Sequence, residues 1–343
     1  MLPTAPILHA FGFEGATLSR VESGLIHRTF RVDTLGGPSF ALQAVNPIFA
    51  PEVHEDIEAV TRHLEQKGLL TPVLHRTKSG GLYHREGEEI WRALSWIPGK
   101  SYDRVQHPAM AGEAAGMLGR FHRTLSDLRH SFRARRLGVH DTPRHLAALE
   151  EAVATHVGHR LRKDVAPLAL EIMTEAAPLP DLSAIPERIV HGDPKISNVL
   201  FSASGDRAVA LVDLDTIAPM KLPLELGDAL RSWGNPAGED ALEVRFDVDI
   251  FRAALAGYAA EGPPLSPAEI GAIVPTTRLI MLELSARFLA DALHERYFGW
   301  NASRFGSRGE HNLVRAKAQL GLAKDFDRHQ QELEAAVRAA FEP

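Results

Sequence analysis

The chain has 343 residues, a formal net charge of −6 and no cysteine. This length suffices for one large or two ordinary domains, and 45% hydrophobic with 24% charged residues is ordinary for a soluble globular protein. The acidic balance argues against a nucleic-acid partner, and without cysteine there are no disulfides and no thiolate chemistry.

The N-terminus and the hydropathy indicate where the protein works. Residues 1–10 contain no basic region and no long apolar run, so we expect no signal peptide. No apolar stretch reaches the roughly 18 residues that a membrane-spanning helix needs, so we expect no membrane partner. The absence of cysteine is compatible with a reducing compartment. We therefore expect a cytoplasmic protein, either a monomer or a homodimer.

Short strands are predicted in the N-terminal third of the chain. Polar and apolar side chains alternate over residues 18–22, 29–34 and 39–45, which predicts three strands separated by turns. A helix is predicted at residues 56–64, and another strand pair at 82–84 and 90–97.

Pro98-Gly99 ends the last of these strands and is a strong breaker of regular structure. We place a boundary there, between a small β-rich lobe of residues 1–97 and a larger lobe of residues 98–343. Helical periodicity dominates the larger lobe. The predicted helices cover residues 108–128, 144–157, 166–177, 225–232, 247–260, 267–273, 276–294, 313–319 and 330–341.

The most informative segment is residues 191–198, His-Gly-Asp-Pro-Lys-Ile-Ser-Asn. A kinase catalytic loop has an Asp that orients the attacking hydroxyl and accepts its proton, and an Asn five residues later that holds Mg²⁺. Asp193 and Asn198 have this spacing. Lys195, two residues after the Asp, can place a cation near the transferred phosphoryl group.

A second acid is expected beside this loop. Residues 199–201 and 208–212 predict a hairpin, and its return strand ends at Asp213. We expect Asp213 to hold Mg²⁺ together with Asn198. His-Gly-Asp alone is also a common turn sequence, so the prediction of a phosphotransfer site rests on Asp193, Asn198 and Asp213 occurring together.

Further segments carry a resemblance to a known family. The whole chain resembles the aminoglycoside phosphotransferase and choline kinase group, and within it the N-acetylhexosamine 1-kinase branch. The likeness to this branch rests on residues 40–46, 213–219, 226–231 and 287–291, with Tyr297 beyond. The resemblance implies an α+β fold of the protein-kinase type, with a small antiparallel β-rich N-terminal lobe and a large, mostly helical C-terminal lobe.

The resemblance also implies ATP and Mg²⁺ as cofactors. It puts the loop of residues 23–28 over the nucleotide phosphates, with Arg28 beside them. Backbone groups around Ser95, Trp96 and Ile97 are expected at the adenine edge, although core packing is the alternative reading of Trp96.

The third strand departs from the usual kinase pattern. Kinases generally have a Lys there that contacts the α- and β-phosphates and pairs with a helix Glu, whereas this chain has Gln43. Gln at this position is similar to the hexosamine kinase branch and is expected to contact the nucleotide. It offers only a neutral hydrogen bond, however. Lys195, Mg²⁺ and Arg28 are then left to supply positive charge.

A sugar or amino sugar, phosphorylated at a hydroxyl, is the acceptor that the resemblance suggests. A neutral sugar needs convergent hydrogen-bonding groups and an apolar wall. The expected substrate ligands are His27, Asp215, Arg287, Asp291 and Tyr297. For Arg287 and Asp291, one turn apart on a predicted helix, the alternative is a surface ion pair with Tyr297 as packing.

Two more residues have open or supporting roles. Asp215 is either an auxiliary metal or substrate group or a structural hydrogen-bond partner of the loop backbone. Asp228 is expected, from the resemblance, to cap and stiffen the catalytic loop.

Alternative functions remain at this point. The acceptor could instead be an aminoglycoside, choline or homoserine, or the protein could be a catalytically silent nucleotide-binding protein of the same fold. A silent protein has no chemical need for Asp193, Asn198 and Asp213 together. A protein kinase is disfavoured because residues 213–215 are Asp-Leu-Asp and not Asp-Phe-Gly.

Overall fold

An antiparallel sheet in the N-terminal part and a set of helices in the C-terminal part make up the fold, which confirms the predicted α+β class. The computed structural model describes residues 2–21, 26–134, 138–177, 179–241 and 243–342. Half of the predicted loop over the phosphates, residues 23–25 of 23–28, therefore lies outside the described residues.

The N-terminal sheet has six strands. They are β1 Thr17–Val21, β2 Arg28–Asp33, β3 Ser39–Val45, β4 Leu74–His75, β5 His84–Glu86 and β6 Glu89–Ser95. The hydrogen-bonded order is β1-β2-β3-β6-β4, with β5 also paired to β6. Helix α1, Ala5–Phe11, and helix α2, Val53–Gln66, accompany the sheet. The short α1 and β4 are not predicted from the sequence, because elements of seven and two residues are too short to show a period.

The register between β3 and β6 decides which side chains face the second lobe. Gln43 on β3 lies opposite Arg92 on β6, and Leu42 lies opposite Ala93. Because side chains alternate along a strand, Leu42 and Ala93 enter the buried cluster beside α1, whereas Gln43 and Arg92 project from the other face.

Eight helices are described in the C-terminal part. They are α3 Pro108–Leu125, α4 Thr142–Thr155, α5 Arg162–Glu175, α6 Leu222–Trp233, α7 Val248–Glu261, α8 Pro267–His294, α9 Arg308–Arg328 and α10 Gln330–Phe341. The large hydrophobic core lies among them. None of these or the other described helices has the length and apolar character needed to cross a membrane.

Helix α8 joins two helices that the sequence predicts separately. It begins with a capping box between Ser266 and Glu269, and it continues through Pro275. A proline removes one helical hydrogen bond and normally ends or kinks a helix. Here the Thr276 hydroxyl bonds the carbonyls of Ala272, Ile273 and Pro223, so that the helix is tied to α6 at this point.

Two small antiparallel pairs carry the catalytic segment. Strands β8, Val199–Phe201, and β9, Ala208–Leu211, form the predicted hairpin. Strand β7, Glu187–Val190, pairs with β10, Ala218–Lys221. The sequence analysis predicts only helices after Asp213 and therefore misses β10, where Pro219 weakens the strand signal and the partner strand is distant in sequence.

Candidate active site

The catalytic loop begins with a turn that only glycine can make. Gly192 has φ 83°, and a Cβ at this residue would lie 2.4 Å from the carbonyl oxygen of Thr216. The Thr216 hydroxyl donates to the His191 carbonyl at 2.8 Å, so the loop and the segment after β9 are in direct contact. The backbone geometry that precedes Asp193 thus depends on Gly192.

Glu225 of α6 holds this turn from the core. Its side chain is buried and accepts hydrogen bonds from the backbone N–H groups of His191 and Gly192, both at 2.9 Å. The expectation that Asp228 caps the loop is therefore wrong. Asp228 lies about one turn further along α6 and pairs with Arg231 at 2.9 Å. The signal for Glu225 was present in the sequence as a single acid among the apolar residues that begin α6.

His191 joins the catalytic loop to the end of β9. Its Nε2 donates to the Val212 carbonyl at 2.9 Å, and its Nδ1 accepts from the Asp193 N–H at 3.3 Å. A carbonyl is only an acceptor, so these partners place the ring proton on Nε2. The ring is fully buried and connects the two segments that carry Asp193 and Asp213.

Asp193 has one occupied and one available carboxylate oxygen. Its Oδ2 accepts from Lys195 Nζ at 2.6 Å and from Asn198 Nδ2 at 3.1 Å. Among the described residues, none donates to Oδ1. Its side chain is 27% exposed, so a hydroxyl can approach this oxygen. Asp193 is therefore oriented by its neighbours and still open to a substrate.

Lys195 is a cation held among carboxylates. Burial acts to lower the pKa of its ammonium group, but the carboxylates of Asp193, Asp213 and Asp228 raise that pKa above its ordinary value on balance. Lys195 is therefore charged at neutral pH and lies close to where negative charge would be transferred.

Asn198 and Asp213 form an oxygen-rich pair beside Asp193. The Asn198 amide nitrogen donates to the Asp193 carbonyl at 2.8 Å, and no donor to its Oδ1 is found within the described ranges. Asp213 adopts a left-handed conformation with φ 65°. Burial raises the pKa of Asp213, and the negative charges of Asp215 and Asp193 raise it further. These oxygens suit a hard divalent cation, which would relieve the repulsion between the carboxylates.

Asp215 is bound by a residue that sequence reasoning missed. Arg92 of β6 donates to both of its carboxylate oxygens, each at 2.6 Å. Both side chains are nearly fully buried, at 2% and 1% exposure. Burial by itself acts to raise the pKa of Asp215, but the Arg92 charge and the His27 hydrogen bond hold it well below its ordinary value. The signal for Arg92 was a single charge between apolar residues, Ile90-Trp91 before it and Ala93-Leu94 after it.

His27, just before β2, contacts the same acids, and its expected role as a substrate ligand stays a prediction. Its Nδ1 accepts from the Asn46 N–H at 3.1 Å, so the ring proton is on Nε2, which lies 3.1 Å from Asp215 Oδ2. Nε2 is also 4.0 Å from Asp213 Oδ1. One ligand atom from each of His27, Asp213 and Asp215 fits within 4.8 Å, but Asp215 is already neutralised by Arg92.

Gln43 and Arg28 have protein partners in this structure. The Gln43 amide nitrogen donates to the Thr29 hydroxyl at 3.1 Å, and its oxygen accepts from Arg92 Nε at 2.9 Å. Arg28 pairs with Glu89 at 2.6 Å, on an exposed part of the sheet. The charge of Arg28 is therefore already balanced, and its expected contact with phosphates stays a prediction.

The connection after β6 offers one unused N–H group. Ser95 N–H donates to the Val73 carbonyl at 2.8 Å, and Trp96 N–H donates to the Ser39 carbonyl at 3.0 Å. The Trp96 ring lies 5.2 Å from the Arg31 guanidinium. In the part of the chain that the structure describes, Ile97 N–H has no backbone partner. Of the three expected adenine contacts, Ile97 is thus the one whose donor remains available.

Comparison with known proteins identifies the family. The family model for the phosphotransferase enzyme family, APH, matches residues 17–263, which is well over half of the chain. The chain belongs to the phosphotransferase enzyme family. It is accordingly a small-molecule phosphotransferase with a hydroxyl group as acceptor.

Solved structures of similar proteins share the phosphotransferase fold. An aminoglycoside phosphotransferase from Alicyclobacillus acidocaldarius is 17% identical, with a TM-score of 0.66 over 98% of this chain and 97% of that one. An amicoumacin kinase in complex with AMP-PNP and Ca²⁺ is 15% identical, with a TM-score of 0.59 over 91% of each chain. A choline/ethanolamine kinase family protein from Mesorhizobium loti is 17% identical, with a TM-score of 0.56 over 96% and 94%.

The expected substrate residues of this phosphotransferase on α8 differ in their surroundings. Asp291 is buried and accepts from the backbone N–H groups of residues 296–298 and from the Asn312 amide, at 2.9–3.0 Å. Its carboxylate is committed to folding the loop after α8, so we do not place it against substrate. Arg287 is half-buried, with its guanidinium 5.7 Å from the Phe298 ring. Tyr297 is 62% exposed beside that ring.

Arg287 is the notable charge of this region. None of the described carboxylates forms an ion pair with it. Asp228 is close enough to be influenced: burial acts to raise the pKa of Asp228, but the charges of Arg231, His140 and Arg287 hold it below its ordinary value. Since Asp228 already pairs with Arg231, the positive charge of Arg287 is left without a dedicated partner in the described protein.

Proposed function

We propose that this phosphotransferase is an ATP- and Mg²⁺-dependent kinase whose acceptor is a hydroxyl of a sugar or amino sugar, similar to an N-acetylhexosamine. The observation that carries the proposal is the state of Asp193. One of its oxygens is fixed by Lys195 and Asn198, whereas none of the described residues donates to the other, and the side chain is part-exposed beside Asp213. A carboxylate that orients a hydroxyl and takes its proton next to a phosphate needs one fixed oxygen and one accessible oxygen.

The nucleotide would lie between the lobe of residues 1–97 and the lobe of residues 98–343. Asp213 and Asn198 Oδ1 would hold Mg²⁺, because both offer oxygen ligands and none of the described Lys or Arg side chains forms an ion pair with Asp213. Bound Mg²⁺ would neutralise charge on the phosphates. The unused Ile97 N–H would meet the adenine edge, and Gln43 would line the phosphate side.

Asp193 and Lys195 would divide the chemical work. Asp193 accepts the proton of the acceptor hydroxyl while the hydroxyl oxygen forms a bond to the γ-phosphorus. The bond from that phosphorus to the bridging oxygen of the leaving ADP breaks. Lys195 leaves Asp193 when the γ-phosphoryl group arrives and stabilises its oxygens. The Lys195–Asp193 ion pair at 2.6 Å is thus the resting arrangement, in which the ammonium group lies beside the base. Most of the rate enhancement would come from positioning and charge.

The charge of the acceptor region supports a neutral sugar over a cation. Arg287, which has no ion pair with a described carboxylate, would repel choline or a polycationic aminoglycoside, whereas it can donate several hydrogen bonds to sugar hydroxyl or carbonyl oxygens. Tyr297 and Phe298 offer aromatic surface for a sugar face. His27 is not placed against the acceptor, because its two ring nitrogens are engaged by Asn46 and Asp215. An amino-acid alcohol such as homoserine is the second candidate, because its carboxylate would also pair with Arg287.

A coupled assay of ADP release tests this proposal. Purified protein with Mg·ATP would be offered N-acetylhexosamines, neutral hexoses, homoserine, choline and an aminoglycoside in parallel. We expect acceptor-dependent turnover with a sugar and none with choline. Turnover with choline or an aminoglycoside alone would refute the sugar proposal. An Asp193→Asn control, which should be inactive with every acceptor, separates true transfer from contaminating ATPase.

A further inference from the structure

A chain of buried hydrogen bonds crosses from the small lobe to the catalytic segment. Thr29 on β2 accepts from Gln43 on β3, and Gln43 accepts from Arg92 on β6 at 2.9 Å. Arg92 then donates to both oxygens of Asp215 at 2.6 Å. Three neighbouring strands of the sheet are thereby connected to the turn that follows Asp213.

This series of hydrogen bonds is relevant to the third strand, where the lysine that kinases usually have is missing. Gln43 lacks the charge, but its partner across the β3–β6 ladder is a guanidinium that projects from the same face. We propose that Arg92 is a positioning residue that takes over the task of the third-strand cation, by fixing the metal-binding segment to the nucleotide-binding sheet through Asp215. This inference rests on the proposed use of Mg·ATP.

Arg92 acts through Asp215 and not on the phosphates directly. It is 2% exposed, and each of its three nitrogens already donates to Gln43 or Asp215. Asp215 lies in the short 3₁₀ turn Leu214–Thr216, whose N-terminal cap is Asp213 in the left-handed conformation. Holding Asp215 therefore holds the backbone that presents Asp213, and groups that orient a metal ligand in this way commonly control how well it binds the metal.

The rival explanation is an ion pair that serves stability alone. Removing one member of a buried pair leaves a charge without a partner and is strongly destabilising, whereas neutralising both members is often tolerated. Arg92→Gln alone can therefore fail to fold for reasons unrelated to metal binding. The test therefore uses two variants. One removes both charges, and the other moves the positive charge from β6 to β3.

The experiment measures AMP-PNP affinity by calorimetry, with Mg²⁺ and with EDTA, together with thermal unfolding. In the neutral pair Arg92→Met/Asp215→Asn we expect folding to be retained and affinity in EDTA to be unchanged. We expect the gain in affinity that Mg²⁺ provides to fall by about 10–100-fold, the usual effect of losing a group that orients a metal ligand. In the relocated variant Gln43→Lys/Arg92→Gln, which keeps Asp215, most of that gain should return.

Two results would overturn the inference. One is a folded neutral pair with the full Mg²⁺-dependent gain of the wild type. The other is a folded relocated variant that gains no more from Mg²⁺ than the neutral pair, because a cation placed on the third strand beside an intact Asp215 would then not replace Arg92. A wild-type protein that binds AMP-PNP without any Mg²⁺ dependence would instead refute the proposed function itself.

Discussion

Glu225→Gln is expected to weaken both the fold and the catalytic loop. The carboxylate accepts two backbone N–H groups, from His191 and Gly192, each at 2.9 Å, in a fully buried position. A Gln side chain can accept only one of them, and its own amide N–H₂ then faces the other. A buried donor left without a partner costs about 1–3 kcal/mol, and the remaining bond loses its charge assistance. We expect the free energy of unfolding to fall by about 2–4 kcal/mol.

The same substitution should reduce kcat more than stability alone explains. The two N–H groups immediately precede Asp193, and a shift of about 1 Å at a reacting group can cost ~100-fold in rate. Unfolding in urea, followed by tryptophan fluorescence, gives the stability, and ADP release at low temperature gives kcat of the folded fraction.

Asp56→Asn is the matched control for Glu225→Gln. Asp56 is also buried and accepts backbone N–H groups from Arg133 and Ala134, but none of its partners belongs to the site. We expect a comparable loss of stability with kcat retained. The reasoning would be refuted if Glu225→Gln kept wild-type kcat, or if Asp56→Asn lost kcat to the same extent.

Four further outcomes are expected. Asp193→Asn should fold normally and lose at least ~100-fold in kcat, so near-wild-type turnover would remove it as the base. Asp213→Ala should abolish the Mg²⁺ dependence of nucleotide binding with little loss of stability, and unchanged Mg·ATP affinity in calorimetry would contradict the metal assignment. Arg287→Ala should raise KM for the sugar but not for ATP, and an equal rise of both values would argue against an acceptor contact. Burial and the Arg92 charge lower the pKa of His54 from 6.5 to about 4, so the folded protein resists its protonation. Stability from this residue is therefore present above pH 6.5 and lost as pH falls towards 4. This loss amounts to about 3 kcal/mol. It should be missing when the stability of His54→Phe is measured against pH, and identical profiles for the variant and the wild type would contradict this prediction.

Features that depend on near neighbours in the chain were predictable from the sequence. The spacing of Asp193 and Asn198 belongs to one loop, and the β8–β9 hairpin that ends before Asp213 is closed by a short turn. The helical periodicity of the C-terminal part is likewise a pattern that extends over a few residues at a time. These local patterns predicted a phosphotransfer site, and the family resemblance of the sequence implied an α+β fold; both agree with the family to which the chain belongs.

Partners of buried charges were decided by the tertiary structure. Arg92 and Asp215 are 123 residues apart, and Glu225 lies 34 residues from the N–H group it accepts. Asp291 and Arg287 are one turn apart on α8, yet the first folds a loop and the second stays without an ion pair among the described residues. A sequence shows that a charge lies in an apolar stretch and must be compensated if it is buried. Which distant group compensates it depends on strand register and helix packing, and these form only when the whole chain has folded.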